Sequence, residues 1–202
     1  MVPAFDPVLS PGVFPDEAAL VAQARSDDPD AWDRLLRSFQ LRLYVYAREL
    51  LHDDASALDA VQETFLAAVR HLGSLRDDRK FGSWIFGILH QRCLQQARRR
   101  GRESRWIDPS AGGAEAAETA VDPHLPDPLD DLLQREQEAG FLATLGALPE
   151  PQRALLLLRF LDDFSLDEIA EITGVPVGTV KSRLHHARTA FRKLWTLNQT
   201  AS

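Results

Sequence analysis

The chain has 202 residues with one cysteine, Cys93, and one methionine, and no apolar run is longer than Ala154 to Leu158, which stops at Arg159. A single cysteine excludes a disulfide framework and a multi-cysteine zinc site, and a chain of this kind suits a reducing compartment. Short apolar runs exclude a bilayer span, and the N-terminal segment lacks the charged-then-apolar pattern of a secretory signal. A cytoplasmic location without membrane insertion is therefore expected, and the sequon Asn198-Gln199-Thr200 has no expected use. Also missing are strand-length alternation, an internal repeat, a glycine-rich phosphate loop and a nucleophile elbow. His52, His71, His90 and His124 show no metal-ligand spacing with acids or with Cys93. These absences predict a non-enzyme with no metal and no cofactor.

Positive charge is also in short supply: 30 acidic against 23 basic residues give a net charge of -7. The distribution matters more than the sum. Residues 1–30 carry -5, residues 31–101 carry +4, residues 102–139 carry -7 and residues 140–202 carry +1. Bases gather at Arg92, Arg98, Arg99, Arg100, Arg102 and Arg105, and again at Lys181, Arg183, Arg188, Arg192 and Lys193. With 45% hydrophobic residues, the chain can build packed cores.

The pattern of apolar residues predicts an all-α protein of two small helical domains joined by a flexible acidic linker. Residues 1–15, with four prolines, read as a mobile tail. Residues 16–101 form the first unit, with helices to about Arg25, from about Ala31 to Leu51, from about Ala55 to Leu72 and from about Lys80 to Arg100. Residues 102–127 read as linker, 128–197 as the second unit and 198–202 as a tail. In the second unit a helix ended by Pro149 precedes helices at about 150–161, 165–173 and 176–196.

The last two helices carry the most specific pattern. Ser165-Leu166-Asp167-Glu168 fits a capping box, Gly174 suits a left-handed cap, and Pro176 suits the start of the next helix. A small residue at the crossing, Ala170, and a buried aliphatic, Val180, complete a helix-turn-helix. On its second helix Val180, Leu184, Ala187, Phe191 and Leu194 form a core face. Lys181, His185, Arg188 and Arg192 recur at i, i+4, i+7 and i+11 as a positive ridge flanked by Ser182 and His186. Such a ridge fits a major groove; a merely solvated face is the plainer alternative.

In the first unit Leu58, Val61, Phe65, Val69 and Leu72 share one arc of the third helix, expected to be core. Asp59, Gln62, Glu63, Leu66 and Arg70 share another, either a docking face or a solvated one. On the fourth helix Phe81, Trp84, Ile85 and Ile88 give the expected buried stripe, with Phe86 and Leu89 off it and Arg92 opening the basic cluster. Aromatics beside arginines suit a single strand of DNA, or else a crowded core with a basic end. Gly82 and Gly87 lower helix propensity by up to roughly 1 kcal/mol each, which predicts a soft fourth helix.

Taken together, these motifs resemble the extracytoplasmic-function sigma factors, the two-domain specificity subunits of bacterial RNA polymerase. Asp59-Ala-Val-Gln-Glu-Thr-Phe65 resembles the family's region two, Phe81-Gly-Ser-Trp-Ile85 its promoter-melting helix, and Leu148-Pro-Glu-Pro-Gln152 with Gly174 to Leu184 its region four. The resemblance implies a non-catalytic subunit that binds core RNA polymerase and promoter DNA, and it implies regulation by an anti-sigma factor. It places Asp59, Gln62, Glu63 and Leu66 against the core enzyme. It gives Arg76, Arg79, Lys80, Trp84, Gln91, Arg92 and Arg98 to the minus-ten element, with the loop from Leu75 to Lys80 accepting a flipped base. It gives Lys181, Ser182, Arg183, His185, His186, Arg188 and Arg192 to the minus-thirty-five element. An alternative is a sigma-like module that only sequesters an anti-sigma factor. The chain departs from many relatives at Gly82, Gln91 and His186, so no promoter sequence is implied.

Overall fold

The computed structural model describes residues 17–99, 143–160 and 163–200. Every regular element among them is helical: α1 Glu17–Ala24, α2 Pro29–Leu51, α3 Asp54–His71, α4 Phe81–Arg99, α5 Glu150–Phe160, α6 Leu166–Thr173 and α7 Val177–Thr200. Short 3-10 turns at Leu72–Ser74 and Asp78–Lys80 join α3 to α4. The expected tail at 1–15 and linker at 102–127 lie outside the described residues, as does most of the helix expected before Pro149, of which 143–146 are described.

Local chemistry sets the boundaries. The Asp28 carboxylate accepts the amides of Asp30 and Ala31, so Pro29 opens α2 two residues before the expected start. His52 closes α2 in the left-handed region at φ 54° and donates its amide to the Arg48 carbonyl. Asp53 then caps α3 through the Ser56 amide. α7 continues through residues 198–200, expected to be tail.

Helices α2, α3 and α4 pack on one another, and α1 lies across α2. Leu35, Phe39, Leu43 and Tyr46 of α2 meet Phe81, Ile85, Phe86 and Leu89 of α4 in a solvent-free core. Edge-on aromatic pairs run through it, Phe39 with Phe81 at 5.3 Å and Tyr46 with Phe86 at 5.5 Å between ring centroids. Two expected stripes need correction. On α4 it is Phe86 and Leu89 that are fully buried, while Trp84 and Ile88 are only partly so. The reason is that α4 is covered by α2 and α3 and also by α6. On α3, Leu58 and Val69 are about half exposed, because the alanines at 57, 60, 67 and 68 supply the close-packed face instead; Val61 and Leu72 are buried as expected.

In the C-terminal part the Ser165 hydroxyl accepts the Glu168 amide and the Glu168 carboxylate accepts the Ser165 amide at 2.9 Å, which is the expected capping box. Gly174 adopts φ 70°, a conformation strained for any residue with a Cβ. Pro176 stands one residue ahead of α7, and its carbonyl takes the amides of Thr179 and Val180. Val180, Leu184, Ala187, Phe191 and Trp195 are buried against α5 and α6, with Leu194 half-buried.

The two helical parts, expected to be held apart by a linker, share one continuous core. α6 packs on α4, and α5 packs on α2. Arg153 fastens the second contact. Buried at 4% exposure, it donates to the carbonyls of Leu145, Gly146 and Leu148 at the end of the preceding helix and to the Glu49 carbonyl of α2 at 2.8 Å. A buried cation persists only with partners of this kind.

Candidate nucleic-acid and polymerase interfaces

The helix-turn-helix corner turns the core face of α7 inward, which leaves the opposite side of its first three turns outward. Lys181, Ser182, His185, His186 and Arg192 are exposed, and Arg183 and Arg188 are half-buried. Arg188 lies over the Phe160 ring at 5.5 Å, a cation–π contact that fixes its stem against α5. The expected ridge is thus one surface, with a fixed inner edge at Arg188 and exposed cationic side chains outside it. Ser182 donates its hydroxyl to the Thr179 carbonyl, which keeps the N-terminal turn of α7 compact.

The second cationic surface is built on α4 and the loop before it. Arg25, in the turn that follows α1, anchors that loop: its guanidinium donates to the Leu72 carbonyl at 3.0 Å, to the Leu75 carbonyl, and to Asp78 Oδ1 at 2.9 Å. Sequence reasoning misses Arg25 because its partners are about fifty positions away. Within the loop, Asp77 accepts both the Arg79 amide and its guanidinium, holding the Asp77 carboxyl below the usual carboxylate range. Arg76, Arg79 and Lys80 are exposed at its rim. Beyond the loop, Lys80, Trp84, Gln91 and Arg92 line a cleft of about 690 Å³ on α4. Arg98 is exposed two turns further on. Trp84 is therefore an aromatic side chain that lines this cleft, whereas Phe86 is committed to the core.

The opposite wall of the cleft is unexpected. Glu171 and Ile172 of α6 line it, and Lys80 Nζ donates to Glu171 Oε1 at 2.9 Å.

On α3, Asp59, Gln62, Glu63 and Leu66 are all exposed and share one face, with Leu66 at 56% and its neighbour Leu58 at 48%. Two leucines left in water beside acids and an amide make a mixed surface of the kind found at protein interfaces. The acidic row also touches the cleft, because Arg92 Nη1 donates to Glu63 Oε2 at 2.6 Å. One ion pair thus joins a residue expected to face polymerase with a residue expected to face DNA.

Among the described residues no group of His, Cys, Asp and Glu could hold a metal ion, and no helix is long and apolar enough to cross a membrane. Cys93 is buried in the core, and burial pushes its thiol up to about 12, so it is an inert packing residue at neutral pH.

Comparison with known proteins follows the same division. Residues 35–103 match the family model Sigma-70 region 2, and residues 139–191 match Sigma-70, region 4. The chain is 34% identical to the RNA polymerase sigma-H factor of Pseudomonas aeruginosa over 177 residues, covering 86% of this chain and 91% of that protein. It is 32% identical to the ECF RNA polymerase sigma-E factor of Escherichia coli K12, covering 86% and 91%. It is 28% identical to the ECF RNA polymerase sigma factor SigW of Bacillus subtilis, covering 86% and 93%. Among solved structures, the sigma factor RpoE in complex with the anti-sigma factor NepR from Bartonella quintana is similar at 27% identity and a TM-score of 0.56, covering 79% of this chain and 95% of that one. CnrH in complex with the cytosolic domain of CnrY shares the fold at a TM-score of 0.61, covering 90% and 97%.

Proposed function

Because the chain belongs to the extracytoplasmic-function RNA polymerase sigma factors, we propose that it binds bacterial core RNA polymerase in the cytoplasm and directs that enzyme to promoters carrying distinct minus-ten and minus-thirty-five elements. The chemistry of RNA synthesis stays with the core enzyme. The observation that carries this reading is the pairing of two separate cationic surfaces with one exposed acidic-apolar face on α3.

In this reading residues 16–101 form the unit that takes the polymerase and the minus-ten element, and residues 128–197 the unit that takes the minus-thirty-five element. Lys181, Ser182, Arg183, His185, His186, Arg188 and Arg192 face the duplex major groove. The cations position the helix on phosphates, while Ser182 and the two histidines reach base edges. Arg76, Arg79, Lys80, Trp84, Gln91, Arg92 and Arg98 face the opened minus-ten strand. Arg25, Leu72 and Leu75 hold the loop into which one base is turned. Extruding that base costs a few kcal/mol, offset by contacts in the loop and against Trp84. Asp59, Gln62, Glu63 and Leu66 dock on the core enzyme. The relative named RpoE is held by an anti-sigma factor, and we extend a partner of that class to this chain.

The test is run-off transcription with purified core enzyme over a library of start sites, with Lys181→Ala/Arg192→Ala as the variant. The wild type should yield discrete transcripts. The double variant should weaken promoter complexes and lower the salt slope by about one unit for each phosphate partner that the substitutions remove. Equal promoter occupancy by the variant would remove the groove assignment. A wild-type chain that binds an anti-sigma factor but starts no transcript with core enzyme would be a sequestering module instead.

A further inference from the structure

Arg25 ties together positions that belong to two separate turns. Its Nη1 donates to the Leu72 carbonyl at 3.0 Å, its Nη2 to the Leu75 carbonyl, and its Nε to Asp78 Oδ1 at 2.9 Å. Leu72 opens the first 3-10 turn, Leu75 closes it, and Asp78 opens the second. The planar fork of the guanidinium thus fixes the angle between the two turns, which a single-point donor could not do. Leu72 and Leu75 are buried at 4% and 8% exposure, so the loop shows Gly73, Ser74, Arg76, Arg79 and Lys80 to the outside. The mounting of Arg25 is itself rigid. Leu20, Val21 and Ala24 bury α1 in the core, and the Arg25 amide donates to the Val21 carbonyl at 3.0 Å. The Asp27 amide closes the turn on the Ala24 carbonyl at 3.1 Å, and Asp28 then caps α2. Glu17, at the far end of α1, faces the Gly82 amide and the Arg42 guanidinium. α1 and the turn behind it therefore brace the segment from Leu72 to Gly82 near both of its ends.

We infer that Arg25 is a specificity-determining positioning residue: by fixing the loop between α3 and α4 it sets which base of the opened minus-ten strand that loop accepts, without touching the base itself. This inference rests on the promoter reading above and deepens it. A loop left to its own exposed turns would adapt to whichever base entered. Discrimination needs donors and acceptors that stay in place, because a wrong base is rejected when it leaves fixed polar groups unpaired. Arg25 supplies that rigidity from the inner side, behind the two buried leucines. Asp78, 2.8 Å from Nη2, neutralises its charge, so Arg25 acts on the strand through the shape of the loop and not by attraction to phosphate. Lysine at this position would keep the charge, but as a point charge on a flexible stem it cannot hold three partners at fixed angles. Loss of the fork should therefore flatten base preference while leaving the outward cations, and the docking face on α3, as they are.

The test uses the full-length chain with Arg25→Lys and Arg25→Gln, and with Arg34→Gln, an exposed position on α2, as the charge-matched control. Amide hydrogen exchange over Leu72 to Lys80 in the free chain reads the order of the loop. Holoenzyme affinity is then measured on the strongest promoter that the start-site library yields, with each of the four bases placed in turn at every minus-ten position. Wild type should favour one base by about tenfold or more at the position that enters the loop. Both Arg25 variants should exchange the loop amides about tenfold faster or more and should reduce that preference to less than about threefold. Their affinity for core enzyme should stay within about twofold of wild type, which a folding defect would not allow. The control should match wild type throughout. A preference kept by Arg25→Lys and lost in Arg25→Gln would assign the effect to charge and overturn the inference, as would a wild-type preference in both. A wild-type holoenzyme that starts no transcript would instead sink the promoter reading. Hydrogen exchange would then still decide whether Arg25 orders the loop, and wild-type exchange rates in both variants would show that it does not.

Discussion

His90 has no exposure, and the Tyr46 hydroxyl lies 2.8 Å from its Nδ1 between α2 and α4. Burial lowers its pKa from the ordinary 6.5 to about 4, because the charged imidazolium would lose its water. The sign follows from linkage. At pH 7 the ring is neutral in both folded and unfolded chains. Between about 6.5 and 4 the unfolded chain takes up a proton that the folded chain refuses, so stability falls as pH falls, by roughly 3 kcal/mol over that window. Urea unfolding at pH 7 and at pH 4.5 should show this loss, and His90→Asn should be less stable at pH 7 but flatter between the two values. An unchanged pH slope in the variant would place the acid sensitivity elsewhere. In the sequence, His90 is only a histidine without metal spacing; its burial depends on Tyr46, forty-four positions away, and no local pattern records that. Arg153 and Arg25 are hidden for the same reason, since each finds carbonyls in other elements. By contrast, Ser165, Glu168 and Gly174 are legible, because caps are built from neighbours along the chain.

Helix faces are legible where one side of the helix meets solvent and fail where two sides are covered. α7 has one covered side, and Val180, Leu184, Ala187 and Phe191 lie on it as periodicity predicts. α4 is enclosed by α2, α3 and α6, so its single expected stripe gives way to one that includes Phe86 and Leu89. α3 is the opposite case, with large residues outside and alanines inside. That inversion is itself informative: apolar side chains at Leu58 and Leu66 contribute little to folding, since they are about half exposed. Leu66→Ala should thus change stability by about 0.5 kcal/mol or less. Its affinity for core polymerase should nevertheless fall by about tenfold, the effect of truncating an apolar anchor at an interface. Thermal melts alongside titration of labelled core enzyme would separate the two quantities. Equal core affinity would move the docking face off α3. The Arg92–Glu63 pair lies beside this row, so the proposed docking of core at Glu63 and the proposed strand contact at Arg92 would draw on the same ion pair.

At the scale of the molecule, two units flank a stretch of acids, and nothing in the sequence of either unit alone announces that they touch. The shared surface is assembled from Gly82, Gly87, Phe164, Glu171 and Arg153, each unremarked by periodicity, and it depends on both units being present. If the two parts share one core, they should melt together, and the calorimetric and van't Hoff enthalpies of the free chain should agree. Phe164→Ala removes the ring that joins Phe86 to the helix-turn-helix, costing about 3 kcal/mol at that site, with Gly82 left facing a void. The variant should melt in two steps, with a calorimetric enthalpy exceeding the van't Hoff value. Two transitions already present in the wild type would mean that the parts fold independently and that their shared surface adds little to the free chain.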